Sequence, residues 1–257
     1  MRVIVTGGSS GSDSAAAHRI HCDSIARDGT PGSITLVARD RNALELAKEG
    51  LVRKGAQVTT ISADLTDASS PEVIVSGAIA AFGGLDGVVS NAGYLQRKPI
   101  LECDASDWDQ TFAVNARATF LLAQLARPHL TASKGAFVAV GSIASNNPSS
   151  KLGVYGPSKA ALDSLVRNLA VAWGTDGIRI NLVSPGFTRT GMSKDEEAND
   201  TVPAGPRKTV LGRLGLPEDQ AAAIAFLLGP DSRFITGTSI VVDGGTGALL
   251  MDTLGIS

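Results

Sequence analysis

From end to end the chain alternates short runs of β-branched and other apolar residues with longer stretches of helical periodicity. The runs VIVT (3–6), ITLVA (34–38), VTTIS (58–62), GVVS (87–90), AFVAV (136–140), IRINLV (178–183) and SIVVD (239–243) predict strands. Most are nearly continuous in apolar residues instead of alternating, which suits strands covered on both faces of a parallel sheet. The longer stretches predict helices near 14–27, 41–54, 71–82, 105–130, 155–174 and 217–228. Asp104 can accept the free amides at the start of the fourth, and Pro217 suits the first turn of the last. This order implies right-handed crossovers and an α/β, doubly wound, seven-stranded parallel sheet with helices on both faces.

No linker rich in Pro, Gly or Ser divides the chain and no internal repeat is visible, so residues 1–257 are expected to form a single domain. One stretch breaks the alternation. Residues 186–216, GFTRTGMSKDEEANDTVPAGPRKTVLGRLGL, are polar and charged and follow a strand end. So long a loop in a compact domain points to function, and residues 190–213 are expected to form a lid over a substrate.

Composition narrows the function. Of 257 residues, 43% are hydrophobic and 19% charged, enough for a substantial core. A net charge of −2 supplies no basic surface for nucleic acid or an anionic membrane. Cys22, Cys103, His18, His21 and His129 show no metal-ligand spacing, and no metal is expected. His18 and His21 read as partly exposed helix residues. The N-terminus lacks the charged and apolar regions of a signal peptide, and AAAIAFLLG (221–229) is too short to span a bilayer. A soluble, cytoplasmic protein is the expectation.

The chemistry concentrates at YGPSK (155–159), where Tyr155 and Lys159 lie one helical turn apart on one face. A phenol ionises only near pH 10, and a neighbouring ammonium stabilises the phenolate and draws that value toward neutrality. Ser142 stands just past the end of a predicted strand, at the sheet edge where open α/β sheets bind ligands. Upstream, TGGSSG (6–11) follows the first strand and opens the first helix, as a phosphate-cradling turn does.

With SNAG (90–93), VNA (114–116), GS (141–142), PGFTRT (185–190) and ITGTSIVVDGG (235–245), these motifs make the chain resemble the short-chain dehydrogenase/reductase family over nearly its full length. The resemblance implies a Rossmann-type fold and an oxidoreductase that moves hydride between a nicotinamide cofactor and a carbonyl or alcohol substrate. It implies that Tyr155 is the general acid for reduction and the base for oxidation, and that Lys159 lowers its pKa and holds the nicotinamide ribose. Ser142 would orient the carbonyl, and Asn115 would hold a water relaying protons to Lys159. Gly7, Ser9, Ser10 and Gly11 would cradle the pyrophosphate, and Asp64 would touch the adenine. Asn91 and Gly93 would line the cofactor floor, with Pro185, Gly186, Thr188 and Thr190 on the nicotinamide side. A homotetramer or dimer built on helices 105–130 and 155–174 is also implied.

Two departures matter. The second strand ends LVARDR, putting Arg39 where NAD-binding members carry an acid. A guanidinium pairs with a 2′-phosphate that a carboxylate would repel, so NADP(H) is expected ahead of NAD(H), with Asp40 too late to serve the ribose. Asp13, meanwhile, stands where the glycine loop should end. A carboxylate is welcome at a helix N-terminus, yet the pyrophosphate uses the same spot. Like charges about 4 Å apart repel by about 4 kcal/mol at an effective dielectric near 20, close to a thousandfold in affinity. Active catalysis is expected because Asn115, Ser142, Tyr155 and Lys159 are all present. The alternatives are a non-catalytic or weakly binding protein on the same fold with an assembly role, and an isomerase or dehydratase. Tyr94, Leu95, Ala144, Asn146, Asn147 and Phe187 are expected to line the substrate pocket, which suits a medium-sized, partly polar carbonyl compound.

Overall fold

The computed structural model describes residues 1–8, 11–189 and 209–248, and at residues 12 and 13 the backbone alone. Ser9, Ser10 and Thr190, the side chain of Asp13, and the 190–208 part of the expected lid lie outside the described residues.

Seven parallel strands form one sheet: β1 (Arg2–Thr6), β2 (Ser33–Ala38), β3 (Gln57–Ser62), β4 (Gly87–Ser90), β5 (Ala136–Val140), β6 (Arg179–Pro185) and β7 (Ser239–Val242). Their spatial order is β3-β2-β1-β4-β5-β6-β7, all parallel. The chain winds outward from β1 to β3, then returns to place β4 on the other side of β1, with Thr6 beside Ser90. The crevice for a ligand therefore opens at the C-terminal ends of β1 and β4.

The helices are α1 (Gly11–Asp28), α2 (Arg41–Val52), α3 (Ser70–Phe82), α4 (Ala105–Phe112), α5 (Ala118–Ser133), α6 (Tyr155–Trp173) and α7 (Pro217–Leu228). Side-chain alternation along each strand feeds two core layers. On one face Ile4, Val88, Phe137 and Ala139 pack with α3, α5 and α6; on the other Val3, Val5, Val89 and Val138 pack with α1, α2 and α7. This double coverage explains the unbroken apolar runs of β1, β4 and β5.

Local signals set the boundaries. Asp104 caps α4 through a reciprocal capping box with Asp107. Asp40 caps α2 by accepting the Asn42 and Ala43 amides, which holds its carboxylate at the helix start. Arg179 is half-buried at the end of α7, where its guanidinium donates to the carbonyls of Leu227, Leu228, Gly229 and Ser232 and to Ser232 Oγ. The carbonyls of Leu227 and Leu228, at the end of α7, have no helical amide of their own.

Two findings correct the expectations. The helix expected over 105–130 is two α-helices joined by a π-helical turn, Ala113–Arg117, in which Ala118 N–H reaches Ala113 O. The added residue per turn rotates Asn115 into the core, where it is 1% exposed. His21 is not partly exposed but 1% exposed. Its Nδ1 accepts Gly32 N–H at 3.2 Å, so its Nε2–H donates to Lys54 O at 2.9 Å, and the ring pins α1 to the turns before β2 and β3. Among the described residues, no helix is long and apolar enough to cross a membrane, and no three His, Cys, Asp or Glu side chains converge as a metal site.

Candidate active site

The turn after β1 opens the site. Gly7 and Gly11 adopt φ of 84° and 64°, left-handed values that side chains resist, and Gly7 and Gly8 donate to Val37 O. The turn delivers the chain to the N-terminus of α1, whose free amides and positive dipole end suit a phosphate. Thr6, wholly buried at the end of β1, accepts the main-chain amides of Asn91 and Ala92 through Oγ1 at 3.1 and 3.2 Å. Thr6 thus locks the SNAG turn against the first strand, a role the sequence does not advertise.

The four candidate catalytic residues come together at the ends of β4 and β5. Ser142 follows β5; its Oγ accepts Ala144 N–H at 3.1 Å, leaving its own proton for the hydrogen bond with the Tyr155 phenol. Tyr155 begins α6, with Lys159 one turn on. Lys159 is 3% exposed; its Nζ donates to Val140 O at 2.8 Å and lies 5.8 Å from the Tyr155 ring centre. Burial is the largest influence on the phenol and pushes its pKa up, while the Ser142 hydrogen bond and the charge of Arg97 pull it down. The fall toward neutrality expected from the ammonium is therefore not reached in this state: removing the phenolate from water outweighs the groups that favour it.

The Asn115 side chain joins the 94–98 segment to α6. Its Nδ2 donates both protons, to Tyr94 O and Ser158 Oγ, each at 2.9 Å, and its Oδ1 accepts Tyr94 N–H at 2.7 Å. No side-chain proton is left to donate to a relay water, which would have to donate to Oδ1 or to the main chain. The amide instead fixes the start of the 94–98 segment. Ser158, wholly buried, completes the connection by donating to Tyr155 O at 2.7 Å. It stands inside the YGPSK motif, and only its contact with Asn115, 43 residues away, reveals its part.

At the other end, Arg39 and Asp64 lie near one another past β2 and β3; Ser62 Oγ donates to Arg39 O at 3.0 Å. Asp64 accepts the amide and hydroxyl of Thr66, which with the charge of Arg39 hold its pKa below the ordinary value. On the substrate side, Pro185 ends β6 and Gly186 N–H reaches Val242 O. Thr188 Oγ1 donates to Gly186 O and accepts from Gln220 Nε2, both at 3.2 Å. Gln220, 1% exposed on α7, also donates to Val242 O and was not foreseen. Thr188 pairs with Gly215 and Arg189 N–H reaches Gly215 O, which ties the residues before the 190–208 stretch to those after it. Of the expected pocket residues, Ala144 is buried, Phe187 exposed, and Asn147 turns its amide onto Ile143 O.

A family model described as enoyl-(acyl carrier protein) reductase matches residues 24–247. The chain is a short-chain dehydrogenase/reductase. Within that family it is 32% identical over 253 residues to 2-(S)-hydroxypropyl-CoM dehydrogenase 3 of Xanthobacter autotrophicus, covering 96% of both chains. To the 4-formylbenzenesulfonate dehydrogenase of Comamonas testosteroni it is 35% identical over 250 residues, covering 94% of this chain and 96% of that one. Among solved structures, an NADPH-bound short-chain oxidoreductase from Pseudomonas aeruginosa, described as having an atypical catalytic centre, matches with a TM-score of 0.86 at 26% identity. That match covers 95% of this chain and 96% of the other. The short-chain dehydrogenase/reductase family uses nicotinamide cofactors and small-molecule substrates, so this chain is an oxidoreductase of that type. The glycine turn, the α1 N-terminus and the buried Lys159 fit such a cofactor.

Proposed function

We propose that this short-chain dehydrogenase/reductase is an NADP(H)-dependent enzyme interconverting an aldehyde or ketone and its alcohol, with Tyr155 as general acid and base. One observation carries the reading: the buried Tyr155 phenol shares a hydrogen bond with Ser142 beside a buried Lys159. When bound, the nicotinamide ring supplies or accepts hydride. Tyr155, kept protonated by burial, donates to the oxygen of a carbonyl substrate, and Ser142 orients that oxygen. With the cofactor bound, Lys159 would hold its ribose and steady the phenolate left behind. Gly7, Ser9, Ser10 and Gly11 would hold the pyrophosphate, Asp64 the adenine side, and Asn91 and Gly93 the floor. Pro185, Gly186, Thr188 and Thr190 would flank the nicotinamide.

NADP(H) is favoured over NAD(H) because Arg39 is exposed past β2, while Asp40 spends its carboxylate on two amides of α2. The NADPH-bound P. aeruginosa neighbour supports the same choice, and the alcohol and aldehyde in the two relatives' names support the substrate class. Residues 1–257 act as one domain, with 190–213 as a substrate lid. Exposed Phe120 and Val171, on α5 and α6, support a dimer or tetramer, which sedimentation measures.

Calorimetric titration with NADPH, NADP, NADH and NAD tests binding, and loss of reduced-nicotinamide absorbance with aldehydes and ketones tests turnover. Tyr155→Phe is expected to lower turnover by about 100-fold or more; full turnover in that variant refutes the mechanism. Absence of heat with all four dinucleotides, on which Asp13 bears directly, favours the non-catalytic alternative.

A further inference from the structure

Gln220 is a buried amide in the first turn of α7, followed by the buried apolar residues Ala221, Ile224, Ala225, Leu227 and Leu228. The start of that helix is held in place, because Asp219 Oδ2 accepts the Leu216 amide at 2.7 Å and pairs with Arg213 at 2.6 Å. From this anchored turn the Gln220 side chain, 1% exposed, reaches the end of the sheet. Its Nε2 donates to Val242 O at 3.0 Å and to Thr188 Oγ1 at 3.2 Å. Val242 O can only accept, so the NH2 group has to face it and Oε1 has to point elsewhere. There Oε1 is buried with no hydrogen-bond partner among the described residues. An apolar side chain of the same volume would strand no such oxygen, so what the amide adds at this position is its two donated bonds.

Those bonds act on the segment after β6. Gly186 N–H donates to the same Val242 O at 3.0 Å, and Thr188 Oγ1 donates to Gly186 O at 3.2 Å. Gly215 closes the group: its N–H donates to Phe187 O at 2.9 Å, and a Cβ there would lie 3.2 Å from Thr188 Oγ1 and 3.5 Å from Gln220 Nε2. The Thr188 hydroxyl gives its proton to Gly186 O and one lone pair to Gln220, so toward a ligand it can only accept. The segment lies at the reacting edge of the sheet. Val183 of β6 pairs with Val140 of β5, Gly141 N–H donates to Val183 O at 2.8 Å, and Ser142 follows directly.

We infer that Gln220 is a positioning residue for the nicotinamide half of the dinucleotide, holding the Thr188 hydroxyl as an acceptor matched to the N–H donors of the nicotinamide carboxamide. This rests on the oxidoreductase reading above. Gln220 does not itself touch the cofactor and acts through Thr188.

Calorimetric titration of the full-length protein with NADPH and with adenosine 2′,5′-bisphosphate, which carries the adenosine half alone, separates the two ends of the site. NADH and AMP run in parallel, so the outcome does not hang on the choice of dinucleotide. Gln220→Met fills similar space without a donor and is expected to weaken the dinucleotide about tenfold while the adenosine fragment stays within about twofold. Thr188→Val should give the same split, and Thr188→Ser should keep most of the affinity. The double variant Gln220→Met, Thr188→Val should bind about as well as the weaker single variant, because both changes remove one interaction. Equal weakening of dinucleotide and fragment marks a general loss of structure and overturns the inference. Unchanged dinucleotide affinity in Gln220→Met, or additive losses in the double variant, overturns it too. Where Gln220→Met does not fold, Thr188→Val decides, since full dinucleotide affinity in that variant removes the route through which Gln220 acts. Dinucleotide binding in wild type with no split in the variants overturns the inference alone, whereas a wild type that binds no dinucleotide overturns the oxidoreductase reading and the inference with it.

Discussion

The connection through Ser158 makes a prediction that can be worked from the coordinates. Ser158 is 0% exposed and Asn115 1%, so neither can exchange its partner for water. Ser158→Ala leaves one N–H of the Asn115 amide without an acceptor in the core, and a stranded buried donor costs about 1–3 kcal/mol. Asn115→Ala strands more: the amide and carbonyl of Tyr94 lose their partners, and Ser158 Oγ loses its donor. That variant should lose about 2–5 kcal/mol. The double variant removes both members of the shared bond at once, so nothing is stranded between them. Its loss should fall short of the sum of the single losses by about 1–3 kcal/mol. Equilibrium urea unfolding of the four proteins measures the difference, provided the denaturant slopes agree. Ser158→Ala should also lower kcat by about tenfold, because Ser158 Oγ no longer holds the Tyr155 carbonyl at the start of α6. Losses additive to within about 0.5 kcal/mol would show that the hydroxyl and the amide do not act as a unit.

Three further outcomes are expected. Arg39→Glu should weaken NADPH binding about 10- to 100-fold by removing a charge-assisted phosphate pair and adding repulsion, and should strengthen NADH; titration showing unchanged NADPH affinity refutes the role of Arg39. Arg179→Met should cost about 1–3 kcal/mol, because the Leu228 carbonyl loses its donor while Ser232 Oγ and the Ile235 amide still serve the others, and should lower Tm by about 2–4 °C for each kcal/mol. Burial, helped by the charge of Lys54, lowers the His18 pKa, so the unfolded chain binds its proton more readily than the folded one. The contribution of His18 is complete above the unfolded value near 6.5 and is lost as pH falls below it. His18→Gln should flatten stability against pH in that window, and an unaltered pH dependence would contradict the assignment.

What the sequence makes legible is whatever depends on neighbours along the chain. β4 and β5 coincide with GVVS and AFVAV because both are apolar on both faces and end at turn residues. Tyr155, Lys159 and Ser142 were visible because their chemistry is written in residue type and spacing. The π-helical turn was not, since AVNAR continues the apolar periodicity of its flanks and the extra residue alters direction, not polarity. His21 was misjudged because its burial comes from Gly32 and Lys54, turns that helix periodicity cannot foresee. Ser158 and Gln220 were missed for a related reason: each is polar, buried and bonded to residues more than 30 positions away. Asp13 was singled out, and its side chain lies outside the described residues.

Under the proposed mechanism, burial and positive charge are both needed at the Tyr155 phenol. A general acid for carbonyl reduction has to hold its proton until the substrate oxygen arrives, and desolvation does that by disfavouring the phenolate in a dry site. The same desolvation would halt the enzyme after transfer unless the phenolate met compensating groups. Ser142 and Arg97 already pull the phenol downward, and Lys159 stands one helical turn away with its ammonium on Val140 O. Moving that ammonium from a neutral carbonyl toward a newly formed anion exchanges a weaker interaction for a charge-assisted one. The favourable term therefore grows with the negative charge and is small before it, which is the condition for lowering a barrier without stabilising the ground state equally. The hydrogen bonds of Asn115 and Ser158 keep the carbonyl of Tyr155 and the start of α6 fixed while the proton moves, so the charge changes without the geometry following it.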